Sequence, residues 1–235
     1  MTTGNDQFGV IWDFDGTLID SMPTHFAAWQ RFMQEHNITF TEKEFLSLAG
    51  MSAEETLQHY FKDVPQDELV RMGDLKNSYY REVAARDGII FAPGAVELLK
   101  VLHEAGFKQA IGSGTHMRNL DVAFSQHPWL RDYLEVIVVA DHVSRTKPDP
   151  EIFLMAAQNL GLSPRDCLVI EDGLLGIEAA KRAGMVSVAL VWPGQVAADF
   201  LARGATQVVN SLTELTPATI IELIERNRQP VESQG

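Results

Sequence analysis

From Gly88 onward, short apolar runs alternate with stretches of helical period, and this alternation constrains the fold more than any other feature of the chain. A helix opened by Pro93 and ended by Gly106 turns Val96, Leu99 and Leu102 inward. "FKQAIGSG" then reads as a strand running into glycines. A helix over about 116–126, a strand at 136–140 and a helix over about 149–160 follow. Next come a strand at 167–171, a helix at 174–183 and a strand at 187–191. Another helix, the short strand "TQVVN" and a final helix complete the pattern. Repeated strand–helix–strand units connect right-handedly, which implies a parallel sheet with helices on both faces.

The beginning of the chain differs. Val10–Phe14 reads as a short buried strand, but from Ser21 to Asp87 only helical signals occur. Phe26, Trp29 and Met33 share a helical face, with Asn37 as a stop. "TEKE" at Thr41–Glu44 and "SAEE" at Ser52–Glu55 have the form of capping boxes. Leu69, Met72, Tyr79 and Val83 make a further stripe. The expected organisation is therefore an α/β core over 1–20 and 88–235, with an all-helical insertion over 21–87. The linkers 20–23 and 88–93 are the expected hinges, and the tail 227–235 is expected to be mobile.

Ligands of open parallel sheets bind beyond the carboxyl ends of the strands. The first strand delivers Asp13 and Asp15 there, with Gly16 and Thr17; the second delivers Ser113, Gly114 and Thr115. Lys147 follows the third, and Glu171 and Asp172 end the fourth. Four carboxylates and one lysine cannot crowd together without a cation, and hard oxygen ligands select Mg²⁺. Blander readings exist for each group. D-x-D-G-T also suits a strand-end turn. Lys147 could be a solvated surface lysine, Ser113 could cap the next helix, and Glu171 or Asp172 could do the same. Other site types fail. "GSGTHM" has Met117 where a dinucleotide fingerprint needs its third glycine, and no P-loop is present. Ile111 stands where a nucleophile elbow around Ser113 needs glycine. The seven histidines show no metal-ligand spacing.

"DFDGTLIDS" at 13–21, "GSGT" at 112–115, "KPDPEIF" at 147–153 and "EDGLLGIEAAKRAGM" at 171–185 together resemble the four ordered motifs of the haloacid dehalogenase-like superfamily. More narrowly, the chain resembles its β-phosphoglucomutase-like sugar phosphatases and mutases. The resemblance implies a Rossmann-like core with a helical cap. It implies that Asp13 is the nucleophile, forming an aspartyl-phosphate. It implies a metal held by the Asp13 side chain, the Asp15 backbone carbonyl and Asp172, with Glu171 assisting. Asp15 is the implied acid and base, and an aspartate at that position points to phosphoryl transfer rather than dehalogenation. Ser113 and Lys147 are the implied phosphoryl-oxygen ligands.

In the resembled mutases a cap turn carries basic residues that grip a second phosphate. Here that turn reads "LAGMSAEE", with Ala49 and Ala53 in the basic positions around Gly50. This favours a phosphatase of monophosphates over a mutase. His25 and Lys76, which match a hinge histidine and a cap lysine of the mutases, pull the other way. A non-catalytic protein on the same scaffold is a third reading, disfavoured by the intact motifs. A net charge of −13 argues against nucleic acid or an anionic membrane as partner. The single cysteine, Cys167, excludes a disulfide framework, and the N-terminus lacks the regions of a signal peptide. The expectation is a cytoplasmic monomer acting on a small phosphorylated metabolite.

Overall fold

The computed structural model describes residues 7–48 and 51–228. Six strands form one parallel sheet: β1 Gly9–Trp12, β2 Lys108–Gly112, β3 Val136–Val138, β4 Cys167–Glu171, β5 Val186–Leu190 and β6 Gln207–Val209. Their order is β3-β2-β1-β4-β5-β6. The direction of winding reverses between β1 and β4, which opens a crevice at their carboxyl ends.

Period-2 burial explains the two covered faces. Val10 and Trp12 pack on one face with α5 (Ala95–Glu104), α6 (Met117–Gln126) and α10 (Pro217–Arg228). Ile11, Ala110 and Val169 pack on the other with α7 (Glu151–Leu160) and α8 (Leu174–Arg182). Ala189 extends that second face under α9 (Ala197–Arg203). Cys167 is buried among these residues, and burial pushes its thiol up to about 12.

Four helices follow β1: α1 Met22–Glu35, α2 Glu42–Ser47, α3 Ala53–Tyr60 and α4 Gln66–Asp87. Both capping boxes form, on Thr41 and Ser52. Asn37 takes a left-handed φ of 59° just past α1, as a helix stop does. These helices bury an apolar cluster of their own around Trp29, Phe32, Leu57, Leu69 and Tyr80. The two linkers run side by side: Asp20 N donates to Ile90 O and Ala92 N to Leu18 O.

Several element details differ from the sequence reading. β1 ends at Trp12, because the backbone turns as soon as the aspartates begin. α5 starts at Ala95 rather than Pro93, with Gly94 as its N-cap. Its inward face is Ala95, Leu98, Leu99 and Leu102, so Val96 is only half-buried. On α4, Tyr80 and Ala84 are buried while Val83 is half-buried. Asn227 and Arg228 of the expected mobile tail belong to α10; the rest of that tail lies outside the described residues. Ala49 and Gly50 of the cap turn also lie outside them. No helix among the described residues is long and apolar enough to cross a membrane.

Candidate active site

Asp13 leaves β1 directly at the crevice and is only 5% exposed. Its backbone N–H donates to Ile170 O, which fixes it against β4. The Lys147 ammonium donates to Asp13 Oδ1 at 2.6 Å and to Glu171 Oε1 at 2.7 Å. Lys147 is thus a partly buried bridge between strand ends, not a solvated surface lysine. Asp13, Glu171 and Asp172 each bring one carboxylate oxygen within 4.8 Å of the others.

Two glycines make this crowding possible. Gly16 has φ +80°, and a Cβ there would lie 2.1 Å from Asp172 Oδ2. A Cβ on Gly176 would lie 1.7 Å from Glu171 Oε1. Glu171 also accepts from the N–H groups of Asp172 and Gly173, at 2.6 and 2.7 Å. Thr17 donates its hydroxyl to Asp172 Oδ1 at 3.1 Å.

The charge balance of the cluster is negative. Burial, with Glu171 and Asp15 nearby, pushes the Asp13 carboxyl up to about 7 despite Lys147. Burial and the Glu171 and Asp13 charges push Asp172 well above the carboxylate range. For Lys147, burial alone would lower the ammonium; Asp13 and Glu171 reverse that and hold it charged. The donor set fits a divalent cation: all-oxygen, compact and short of positive charge.

Asp15 is two residues from Asp13 yet faces the helical insertion. Its Oδ1 lies 3.3 Å from His25 Nε2 on α1 and 3.4 Å from the Tyr80 hydroxyl on α4. His25 Nδ1 lies 2.9 Å from Lys76 Nζ on α4. An ammonium only donates, so Nδ1 accepts and the imidazole proton sits on Nε2, aimed at Asp15. The rings of His25 and Tyr80 stack at 4.2 Å. Burial would raise Asp15, but the hydrogen bond from His25 and the positive charge of Lys76 behind it hold its carboxyl below the usual range. Burial drives Lys76 down to about 8, and burial and Lys76 lower His25.

The structure therefore brings Asp13, Lys147, Glu171 and Asp172 into one group and Asp15, His25 and Lys76 into another. The Asp15 carboxylate is not among the three clustered carboxylates. Ser113 is buried and does not cap α6; its Oγ accepts from Thr115 N at 3.4 Å. Asp141 takes that capping role, accepting from Met117 N at 2.7 Å. Thr115 Oγ1 accepts from Asn119 at 3.0 Å, whereas Gly114 is exposed in the turn. Sequence reasoning missed Tyr80. Its spacing of four from Lys76 on one helix was the available signal, since such pairs share a face.

Residues 10–190 match the haloacid dehalogenase-like hydrolase family. The chain belongs to that family. It is 32% identical to hexitol phosphatase A of Escherichia coli over 79% of this chain and 83% of that one. It is 32% identical to the β-phosphoglucomutase of Bacillus subtilis over 93% of this chain and 96% of that one. Among solved structures, the β-phosphoglucomutase of Clostridium difficile superposes with a TM-score of 0.77 at 29% identity, covering 94% of this chain and 98% of the other. The hydrolase family and hexitol phosphatase A support a phosphoric monoester hydrolase activity.

Proposed function

We propose that the chain is a Mg²⁺-dependent phosphatase of small phosphorylated metabolites, sugar phosphates foremost, working through an aspartyl-phosphate on Asp13. The observation that carries this reading is the division of two neighbouring aspartates. Asp13 sits in a cluster suited to a cation and a phosphate, while Asp15 faces the side from which a leaving group would approach. Hexitol phosphatase A, a similar protein, is named for a sugar-alcohol phosphate.

Asp13, Glu171, Asp172 and the Asp15 carbonyl would hold the Mg²⁺. Bound there, the ion offsets the repulsion between a carboxylate nucleophile and a phosphate dianion. Asp13 attacks phosphorus in line, and the bond to the leaving oxygen breaks as the bond to Asp13 forms. Lys147 and the Ser113 hydroxyl bind non-bridging oxygens, most tightly when charge is spread over them. Asp15 gives a proton to the leaving oxygen and then takes one from the water that releases phosphate. His25 favours the carboxylate form of Asp15, the base needed in the second step. The substrate dianion beside Asp15 raises its proton affinity for the first. Gly114 and Thr115 are assigned to the phosphate side, and His25 and Lys76 to the substrate side; Gly50, expected there from the sequence, lies outside the described residues.

The core comprises 1–20 and 88–235, and 21–87 acts as a cap that closes over the crevice. Supporting this division are the separate apolar cluster of the helices and the paired linkers at 20–23 and 88–93. The net charge of −13 and the buried Cys167 support a soluble, cytoplasmic setting, and we take the enzyme as a monomer.

A sugar phosphomutase of the β-phosphoglucomutase type is the second reading, favoured by the cationic Lys76 behind His25. Ala53, half-buried at the start of α3, supplies no charge for a second phosphate, which keeps the phosphatase first. Phosphate release from a panel of sugar monophosphates, with and without Mg²⁺, tests the choice. The phosphatase predicts metal-dependent release that Asp13→Asn abolishes. Conversion of β-glucose 1-phosphate to glucose 6-phosphate only with added bisphosphate would establish the mutase instead.

A further inference from the structure

The loop between β5 and α9 carries none of the sequence motifs, yet it touches both acidic turns. The Trp192 indole Nε1 donates to Gly16 O at 2.7 Å. Gln195 Oε1 accepts from the Trp192 backbone N–H at 2.9 Å. The amide nitrogen of the same Gln195 side chain donates to Asp172 O at 3.1 Å. One loop thus bonds the backbone of the first acidic turn and the backbone of the fourth-strand turn. The Trp192 ring also packs on the main core, so the indole N–H has a fixed origin.

We infer that Trp192 and Gln195 are positioning residues that tie the Asp15–Thr17 turn to the Asp172 turn and so set the cation site. The inference rests on the proposed reading that these turns hold a divalent cation. Gly16 has no side chain, and on the peptide that carries its carbonyl the Thr17 N–H makes only a long bond, to Phe14 O at 3.4 Å. Its carbonyl belongs to the peptide joining it to Thr17, whose hydroxyl holds Asp172 Oδ1. A rotation of that peptide would displace Thr17 and, through its hydroxyl, the Asp172 carboxylate. The indole bond opposes such a rotation from one side, and the Gln195 bridge keeps the second turn at a set distance from the first. Groups that orient metal ligands in this way matter although they never touch the ion.

Two variants separate this role from a merely structural one. Trp192→Phe removes the N–H but keeps an aromatic ring in the core. Gln195→Ala removes the bridge at an exposed position. Mn²⁺ shares the preference of Mg²⁺ for octahedral oxygen ligands, and its binding is read from the loss of free-ion paramagnetic resonance signal. Each variant is expected to weaken Mn²⁺ binding about tenfold, in line with the loss of other ligand-orienting contacts. The metal-free melting temperature of Gln195→Ala should stay within about 3 °C of the parent, a shift in the range of one small surface change. The double variant should bind no more weakly than the worse single one, because both act on one tie. Unchanged Mn²⁺ affinity in both variants overturns the inference, whatever happens to their melting temperatures. Failure of the parent protein to bind Mn²⁺ overturns instead the cation reading beneath it.

Discussion

Asp13 and Asp15 are two residues apart in one turn and live in opposite surroundings. Asp13 shares the strand ends with Glu171 and Asp172 and is pushed up to about 7. Asp15 looks toward α1 and α4, where His25 holds it below the carboxylate range. The sheet side is short of positive charge and calls for a cation from solution. The cap side carries its own cation, Lys76, relayed through an imidazole. Two chemically identical groups are held in different environments by their neighbours, a pattern that marks acid–base and nucleophile assignments in other active sites and underlies the roles proposed for them.

Removing the sheet-side member should have the largest effect. Asp13→Asn is expected to lower phosphate release by about 10⁴-fold or more, since nothing else in the cluster can replace a nucleophile. Steady-state release at saturating Mg²⁺ checks this. If Asp15→Asn proved equally damaging with every substrate, the division of roles would fail. The expectation there is a loss of about 10²–10⁴-fold with alkyl phosphates, in the range of general acid–base catalysis. p-Nitrophenyl phosphate, whose leaving group needs no proton, should still give a rapid burst of nitrophenol before a slow second step.

Smaller effects sharpen the cap side. Lys76→Met leaves His25 without its donor and is expected to reduce turnover about tenfold. It should also alter stability above neutral pH. Lys76 binds its proton less tightly when folded, at about 8 against an ordinary 10.5. Between those values the unfolded chain holds more protons, so stability rises with pH through that window. The variant should lose that rise, as read from melting temperatures at pH 8 and 10.

The sheet side has the opposite slope. The folded Asp13 takes up a proton at about 7 against an ordinary 3.8, so between those values the folded state holds more protons. Metal-free protein should therefore lose stability as pH rises from about 4 to 7. Asp13→Asn should flatten that slope and raise the metal-free melting temperature at pH 7 by a few degrees, at about 2–4 °C per kcal/mol for a chain of this size. A flat profile in the parent would contradict the charge imbalance assigned to the cluster.

Much of the fold and of the acidic cluster is legible in the amino-acid sequence alone. All six strands can be read because each is a short apolar run with its own turn chemistry, and the acidic groups follow those runs directly. The helical insertion is legible from capping boxes and period. Helix faces shift by a residue where Ala and Tyr do the packing: Ala84 and Tyr80 on α4, Ala95 on α5. Small or hydroxyl-bearing residues carry little weight in an apolar stripe. The contact of Tyr80 with Asp15 and the reach of Trp192 to Gly16 are not legible. They join residues 65 and 176 positions apart, and only the fold brings them together. Gly50 and Ala49 of the cap turn fall outside the described residues.

The most direct test of the central claim is the intact mass of Asp15→Asn protein quenched in acid after mixing with p-nitrophenyl phosphate and Mg²⁺. The account predicts a covalent adduct of about 80 Da, the mass of one phosphoryl group, mapping to Asp13. It should be absent when Asp13→Asn is added to the same protein. No adduct, or an adduct on any residue other than Asp13, would contradict the division of labour between the two aspartates.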